Sequence, residues 1–213
     1  MRRLRFQSGE WKTHFVTCRN IMGFLLMRPD PHTNRIIAGA LAYAKEKSEA
    51  GIELHAYSFM SNHYHMLITS RDQRALSNFM CRFNGSLGKE LGVIHDFHGK
   101  IWHSRYTASE VLDEAALEKR YHYIFSNSVK ENLVEHPREW PGLHAYRSIC
   151  EGEVVKGIWI DRTGLYEARQ RAKLKKNRGK PQPQEAEYTT ELTLTLDGPP
   201  PLWSELSDEA YQT

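Results

Sequence analysis

The chain has few cysteines and no paired cysteine motif. Cys18, Cys81 and Cys150 stand far apart, their number is odd, and no CxxC spacing occurs. A disulfide framework requires an even set of cysteines and a zinc ribbon requires close thiolate pairs, so neither class fits. Free cysteines are typical of a reducing compartment, and we therefore expect a cytoplasmic protein.

Long hydrophobic runs are also missing. The longest apolar stretch, IIAGALAYA at residues 36–44, is too short to cross a membrane. The N-terminus is positively charged, but no apolar segment follows it, so it does not have the pattern of a signal peptide. The sequence has no internal repeats. We expect no membrane association.

Apolar residues make up 40% of the 213 positions, enough for a core, and the net charge of +3 is unevenly distributed. Residues 162–180 carry eight Lys or Arg against one Glu, or about +7, whereas residues 181–213 carry seven Asp or Glu and no Lys or Arg, or about −7. We predict one folded domain at residues 1–150. Residues 151–213 are predicted to be appendages, a basic arm followed by an acidic, proline-containing tail. The arm either binds along the phosphates of a nucleic acid or is a solvated, disordered segment.

Hydrophobic periodicity predicts a regular order of elements up to residue 150. The predicted strands are KTHFVTCR, GIELHAYSFM, HYHMLIT and part of IWHSRYTASEVL. Helices are predicted after Asp30-Pro31, along the apolar stripe from Leu76 to Leu91 with its end at Gly92, and after Asp113. This order predicts an α+β fold of the ferredoxin-like type, with an antiparallel sheet, helices on one face and the histidine-containing strand in a central position. We expect the other face to be open.

The segment SNHYHMLI, residues 61–68, places two histidines two positions apart in a predicted strand. Side chains alternate along a strand, so His63 and His65 point to one face while Tyr64 and Met66 point to the other. Neutral imidazole is the commonest nitrogen ligand of divalent metals. The pair therefore predicts a metal site, although two surface or hydrogen-bonded histidines would give the same pattern.

The third predicted helix contains two tyrosines on different faces. At about 100° per residue, its core face consists of Leu117, Tyr121, Ile124 and Phe125. A second stripe consists of Lys119, Tyr123, Asn127 and Lys130. Because burial of a polar stripe is costly, we expect the second stripe to face solvent or a substrate. A plain solvated face is the alternative.

The histidine pair and this second stripe together suggest phosphoryl transfer. A tyrosine hydroxyl is a weak nucleophile at neutral pH and needs an activated electrophile. A divalent ion on His63 and His65 could polarise a phosphodiester, and Asn127, one turn from Tyr123, could add an oxygen ligand. We expect a metal-assisted transesterification in which Tyr123 attacks phosphorus and a hydroxyl leaves.

Several segments resemble a known family. SNHYHMLI is similar to the HUH motif (His, hydrophobic residue, His), and YIFSNSVKENLV is similar to the tyrosine helix of the single-tyrosine HUH transposases, in particular the REP-associated tyrosine transposases and their insertion-sequence relatives. WKTHFVTCR, GKIWHSRYTAS and REWPGLHAYRS resemble the segments around these motifs. The likeness extends over roughly residues 10–148.

The resemblance implies a transposase that cleaves and rejoins single-stranded DNA near hairpins or palindromic elements through a 5′-phosphotyrosine, with Mg²⁺ or Mn²⁺. It implies that His63, His65 and Asn127 bind the metal and that Tyr123 is the nucleophile. The active form is either a monomer or a homodimer. Relatives commonly have Asn-Pro after the tyrosine, whereas Ser128 follows Asn127 here, so the helix is free to continue toward Glu131.

Candidate DNA contacts are basic residues near these motifs. They are Lys119, Arg120, Lys130, Arg105 and Arg82. Arg105 lies in the run WHSRY, whose mixture of aromatic and charged residues is typical of single-strand sites. Ordinary solvated charge is the alternative for each of them.

Two other functions are consistent with the same residues. One is a non-catalytic nucleic-acid-binding protein, a repressor or an RNA-binding module, on the same fold. The other is a small metal-dependent phosphodiesterase that uses water, with Tyr123 incidental. A covalent protein–DNA adduct would separate the transposase from both.

Overall fold

A computed structural model of the chain describes residues 11–174 and 182–200. In chain order the elements are β1 (Lys12–Arg19), α1 (Pro31–Glu46), β2 (Ile52–Phe59), β3 (His63–Ser70), α2 (Gln73–Ile94), β4 (Thr107–Glu110), α3 (Glu114–Lys130), α4 (Ala145–Cys150), β5 (Val155–Ile160), α5 (Arg162–Leu174) and β6 (Thr189–Leu194). No helix within the two described ranges has the length and apolar character needed to span a membrane.

The three long helices before residue 131 each begin after an aspartate. The carboxylates of Asp30, Asp72 and Asp113 accept hydrogen bonds from backbone N–H groups of the first turn. These caps satisfy donors that have no partner inside the helix, and their local nature makes the helix starts readable from the sequence. The end of α2 was predicted wrongly at Gly92: the helix continues to Ile94, since one glycine costs a helix only about 1 kcal/mol.

Strands β1 to β4 form one antiparallel sheet in the order β2-β3-β1-β4. This is the order of the split βαβ arrangement, with β3 and β1 in the centre. The predicted α+β class, the antiparallel sheet and the central position of the histidine strand are confirmed. Pairing of β1 with β3 sets Arg19 opposite His63 and Thr17 opposite His65.

Helices lie on both faces of this sheet. On one face, Tyr64 of β3 contacts Phe83 of α2, with ring centroids 5.4 Å apart. On the other face, His65 contacts Tyr123 of α3 at 5.0 Å. Side chains alternate along β3, so α2 and α3 pack on opposite sides. The second face, which we expected to be open, is therefore covered by α3 where the two histidines lie.

The segment after α3 fixes that helix to the edge of the sheet. The N–H of Phe59 in β2 donates to the carbonyl of Leu143 at 2.9 Å, and the indole of Trp140 donates to the carbonyl of Phe59 at 3.0 Å. His144 Nε2 lies 3.1 Å from the carbonyl of Ile124 in α3. The segment REWPGLHAYRS, residues 138–148, therefore positions α3, the helix that contains Tyr123.

The region after residue 150 contains a second, two-stranded sheet. Strands β5 and β6 pair antiparallel and pack on α1. The backbones approach very closely at two glycines: a Cβ on Gly157 would lie 2.0 Å from the backbone nitrogen of Gly39. Tyr43 and Trp159 stack beside this contact, with centroids 3.9 Å apart. The expectation of appendages is thus wrong for this two-stranded sheet, which packs on α1.

The charges of the predicted arm and tail are partly used inside the fold. Arg162 at the start of α5 donates to both oxygens of Glu90 in α2, at 2.8 and 2.6 Å, and also pairs with Glu185. Lys45 pairs with Asp197 at 2.8 Å. Residues 175–181 and 201–213, which complete the arm and the tail, lie outside the described residues, and the domain boundary at residue 150 stays a prediction.

Candidate active site

The two histidines of β3 lie side by side on the face covered by α3. Their ring centroids are 4.9 Å apart, and the planes are nearly perpendicular. His65 is only 4% exposed, and His63 is half-buried at the end of the strand. The alternation expected from the sequence thus brings both rings to one place.

Aromatic rings hold the imidazole of His65 from two sides. Phe15 of β1 stacks on it at 5.2 Å, and Tyr123 meets it edge-on at 5.0 Å. Burial, the largest cause, and the charges of His63, Arg19 and Arg120 together lower the pKa of His65 to about 3. The ring is therefore neutral at ordinary pH, which is the form that binds metals.

His63 has a similar electrostatic setting at the open end of the strand. Burial lowers its pKa, the charge of Arg19 adds to this, and the carboxylate of Glu131 acts in the opposite direction. Its Nδ1 lies 2.6 Å from Oδ1 of the preceding residue, Asn62. This ring is also neutral at physiological pH.

In both rings Nδ1 contacts a neutral side-chain oxygen, and Nε2 is the remaining nitrogen. His65 Nδ1 lies 2.9 Å from the hydroxyl of Thr17. His65 Nε2 is buried and has no hydrogen-bond partner within the described part of the chain. His63 Nε2 lies 3.4 Å from the side-chain nitrogen of Asn127. A buried ring nitrogen without a partner is unusual and is consistent with a ligand position.

Helix α3 brings Tyr123 and Asn127 to the histidines, whereas the ring of Tyr121 packs on Phe125 at 6.0 Å. The stripe was expected to face solvent or a substrate, and Asn127 does not face solvent: it is only 1% exposed, and its amide lies against His63. Without a proline after Asn127, α3 continues to Lys130, and Glu131 follows as its C-cap.

The residues present fit a divalent cation with nitrogen and oxygen ligands. Two neutral imidazoles offer Nε2, and the amide group of Asn127 carries an oxygen of the type such ions bind. Within residues 11–174 and 182–200, no group of three His, Cys, Asp or Glu side chains could hold a metal. The candidate ligands are thus two imidazoles and one amide, all of them uncharged.

The structure brings two of the five candidate DNA contacts to this site. The guanidinium of Arg120 lies over the ring of Phe15 at 4.6 Å, and Lys130 Nζ lies 5.2 Å from the ring centre of Tyr123. The side chain of Lys119, on the same helix, is exposed.

The other two candidates lie elsewhere. Arg105 donates to Ser77 of α2 at 3.2 Å, and Arg82 lies on the solvent side of α2, which packs on the sheet face opposite the histidines. Trp102, three positions before Arg105, packs edge-on against Tyr64, with ring centroids 5.7 Å apart. Trp102 of the run WHSRY thus belongs to the packing of the fold.

Sequence reasoning missed three residues around the histidines. Thr17 contacts His65, while Arg19 and Glu131 line a groove of about 660 Å³ that opens beside His63. A signal for two of them existed. If β1 pairs with β3, residues of β1 with the same spacing of two must lie opposite the histidines, as Thr17 and Arg19 do.

Comparison with known proteins gives results consistent with this geometry. The family model described as "Transposase IS200 like" matches residues 10–127, a range that contains both histidines, Tyr123 and Asn127. No curated protein sequence matches the chain.

Solved structures provide a likeness of fold. A REP-associated tyrosine transposase bound to a REP hairpin is 19% identical, with a TM-score of 0.51, over 71% of this chain and 87% of that one. A candidate transposase from Deinococcus radiodurans R1 is 15% identical, with a TM-score of 0.41, over 62% of this chain and 98% of that one. Because the family model matches more than half of the chain's 213 residues, the chain belongs to the family of IS200-like transposases.

Proposed function

We propose that the protein cleaves and rejoins single-stranded DNA next to hairpins, with Tyr123 as the nucleophile and with His63, His65 and Asn127 as ligands of Mg²⁺ or Mn²⁺. One observation carries the proposal. The ring of Tyr123 lies 5.0 Å from that of His65, whose buried Nε2 has no partner among the described residues.

In the proposed step, the hydroxyl oxygen of Tyr123 forms a bond to phosphorus, and the bond between phosphorus and the 3′ oxygen breaks. The 3′ oxygen takes up a proton and leaves as a hydroxyl, and the phenolic proton passes to solvent. The 5′ phosphate stays on the tyrosine. A different 3′ hydroxyl can then attack the phosphotyrosine and rejoin the strand. One phosphodiester is exchanged for another, so no external energy source is needed.

A divalent ion, when bound, would neutralise charge on the non-bridging oxygens of the phosphodiester. The protein's own residues supply position and charge. His144 and the segment around it hold α3, so Tyr123 is fixed relative to the histidines. Arg120 and Lys130 flank Tyr123 and would bind phosphates on either side of the cleaved bond.

Hairpin DNA as the partner is supported by the relative that was solved with a REP hairpin. A monomer is the proposed catalytic unit, because a single chain supplies Tyr123, both histidines and Asn127. No residue from a second copy is needed to complete this set.

The experiment uses a pool of hairpin oligonucleotides with randomised single-stranded flanks, incubated with the protein and Mn²⁺ and then run on a denaturing gel. The wild-type protein and Tyr121→Phe should form a slowly migrating adduct, and Tyr123→Phe and wild type in EDTA should not. DNA binding without cleavage would favour the non-catalytic protein. Cleavage that survives Tyr123→Phe would favour a phosphodiesterase that uses water.

A further inference from the structure

We propose that Thr17 and Asn62 are positioning residues that hold both histidines as the Nδ1–H tautomer, so that each ring presents an unprotonated Nε2 to α3. The neutral imidazole carries one proton, and the hydrogen bond of one nitrogen decides which nitrogen is free. The part that concerns metal affinity rests on the proposed function. The part that concerns the tautomers does not.

The chemistry of Asn62 determines the tautomer of His63. Its side-chain oxygen lies 2.6 Å from His63 Nδ1 and can only accept a hydrogen bond, so Nδ1 must donate. The carbonyl of Asn62 accepts from the N–H of Asn20 at 2.8 Å, which holds the turn before β3 in place. His63 Nε2 is then unprotonated and faces Asn127.

The tautomer of His65 follows from the other side of the ring. The Thr17 hydroxyl, 2.9 Å from Nδ1, could donate or accept. If it donated, the proton would sit on Nε2, which is buried and has no partner among the described residues. An unpaired buried N–H is rarer and more costly than an unpaired acceptor. We therefore infer that Nδ1 donates to Thr17 and that Nε2 carries the lone pair.

The sheet itself sets these contacts. Thr17 lies directly opposite His65 in the pairing of β1 with β3, and Phe15 of the same strand stacks on the ring. The ring is therefore held by a strand on one side and by α3 on the other. Both acceptors are neutral, unlike the carboxylates that often support metal-binding histidines, so they orient the rings without adding negative charge.

The test has two readouts on the full chain. Nitrogen-15 NMR of histidine-labelled, metal-free protein at pH 7.5 reports the tautomer of each ring. Electron paramagnetic resonance reports Mn²⁺ affinity without DNA. Thr17→Val keeps the shape and removes the hydroxyl, whereas Thr17→Ser keeps a hydroxyl. For His63, Asn62→Ala removes the accepting oxygen, whereas Asn62→Asp keeps one. Thr13→Val is the matched control, because Thr13 is a buried threonine of the same strand face that contacts Thr69 at 2.8 Å.

We expect both histidines to be Nδ1–H in the wild-type protein. Thr17→Val should shift His65 toward the other tautomer and weaken Mn²⁺ binding about 10- to 100-fold, with recovery in Thr17→Ser and no change in Thr13→Val. Asn62→Ala should act in the same way on His63, with recovery in Asn62→Asp.

An Nε2–H tautomer in the wild-type protein, or an unchanged tautomer in Thr17→Val and Asn62→Ala, would overturn the inference. If the wild-type protein binds no Mn²⁺ while both tautomers are as stated, the metal of the proposed function fails and the positioning role stands. Unchanged Mn²⁺ affinity in variants whose tautomers have changed would remove the link between the two.

Discussion

Two groups of positive side chains, in different regions of the molecule, differ in their partners. Around the histidines, Arg19, Arg120 and Lys130 have no ion pair within residues 11–174 and 182–200. On the opposite side, Arg162 pairs with Glu90 and Glu185. Arg35 and Lys156 share Glu191, and Lys45 pairs with Asp197.

The difference separates charge that stabilises the fold from charge that is available to a ligand. Glu90 is only 4% exposed, so removal of Arg162 would leave a buried carboxylate without compensation. The cations near Tyr123 compensate no buried carboxylate among the described residues. They lie beside the candidate active site, and a cation that neutralises a phosphate there would release a counterion from the DNA.

The largest expected effect lies on the histidine side. His65→Ala removes a proposed ligand and should lower Mn²⁺-dependent DNA cleavage about a thousandfold, since a metal contributes several kcal/mol to charge stabilisation. Cleavage rates at saturating DNA measure this. His98→Ala is the control, because that side chain is 88% exposed and far from β3 in the sequence. Equal loss in both variants would contradict the assignment.

A change on the opposite side should lower the stability of the fold without changing DNA cleavage. In Gly157→Ala the new methyl group would overlap the backbone of Gly39, and we expect a loss of about 3 kcal/mol in the free energy of unfolding. Denaturant titration measures it, and cleavage per folded molecule should stay near wild type.

Gly85 of α2 is the matched control for that variant, because a Cβ there would meet nothing within 4 Å. Gly85→Ala should stabilise the protein by up to about 1 kcal/mol through higher helix propensity. If Gly157→Ala were as stable as Gly85→Ala, the close contact of β5 with α1 would be wrong.

Single neutralisations should separate the two sets of cations. Arg120→Gln and Lys130→Gln should each weaken single-strand binding and lower the slope of log affinity against log salt by about 1. Arg35→Gln, which removes a cation paired with Glu191, should leave the slope near its wild-type value. Binding isotherms at several salt concentrations measure this, and equal slopes for all three variants would remove the distinction.

The smallest effect is a pH dependence of stability that both regions share. Burial lowers the pKa values of His14, His55 and His144. These rings stay neutral in the folded protein while the unfolded chain takes up protons below about pH 6.5, so stability should fall as pH falls below that value. Denaturation midpoints at pH 7.5, 6.5 and 5.5 measure it.

For the pH experiment, His144→Gln should flatten the dependence and His98→Gln should not, because His98 is exposed. His55 Nδ1 also lies 2.6 Å from the carbonyl of Gly198, a contact that connects the segment after β6 to β2. A midpoint that does not change between pH 7.5 and 5.5 would contradict the neutral state of these rings.

Features that depend on neighbours in sequence could be predicted from the sequence. The caps Asp30 and Asp113 and the common face of His63 and His65 follow from local spacing. The same is true of the two tyrosines, because helical periodicity alone separates Tyr123 from Tyr121. The placement of these residues is therefore as predicted, and their roles in DNA cleavage stay predictions.

Features that depend on packing between distant segments could not be predicted. Nothing in the helix pattern of α3 tells which sheet face it covers, so Asn127 was expected to face solvent or a substrate. The register that sets Thr17 against His65 joins residues 48 positions apart. Gly157 permits backbone contact between β5 and Gly39 of α1, which lies 118 positions earlier in the chain.

The covalent link between protein and DNA can be located by peptide mapping of the adduct. Trypsin cleaves after Arg120 and Lys130, so residues 121–130 form one peptide, YHYIFSNSVK, that contains both tyrosines. Fragmentation of this peptide after nuclease trimming of the DNA shows which tyrosine carries the nucleotide. We expect the 5′-phosphonucleotide on Tyr123. A nucleotide on Tyr121, or an unmodified peptide from a preparation that cleaves DNA, would contradict the proposed mechanism.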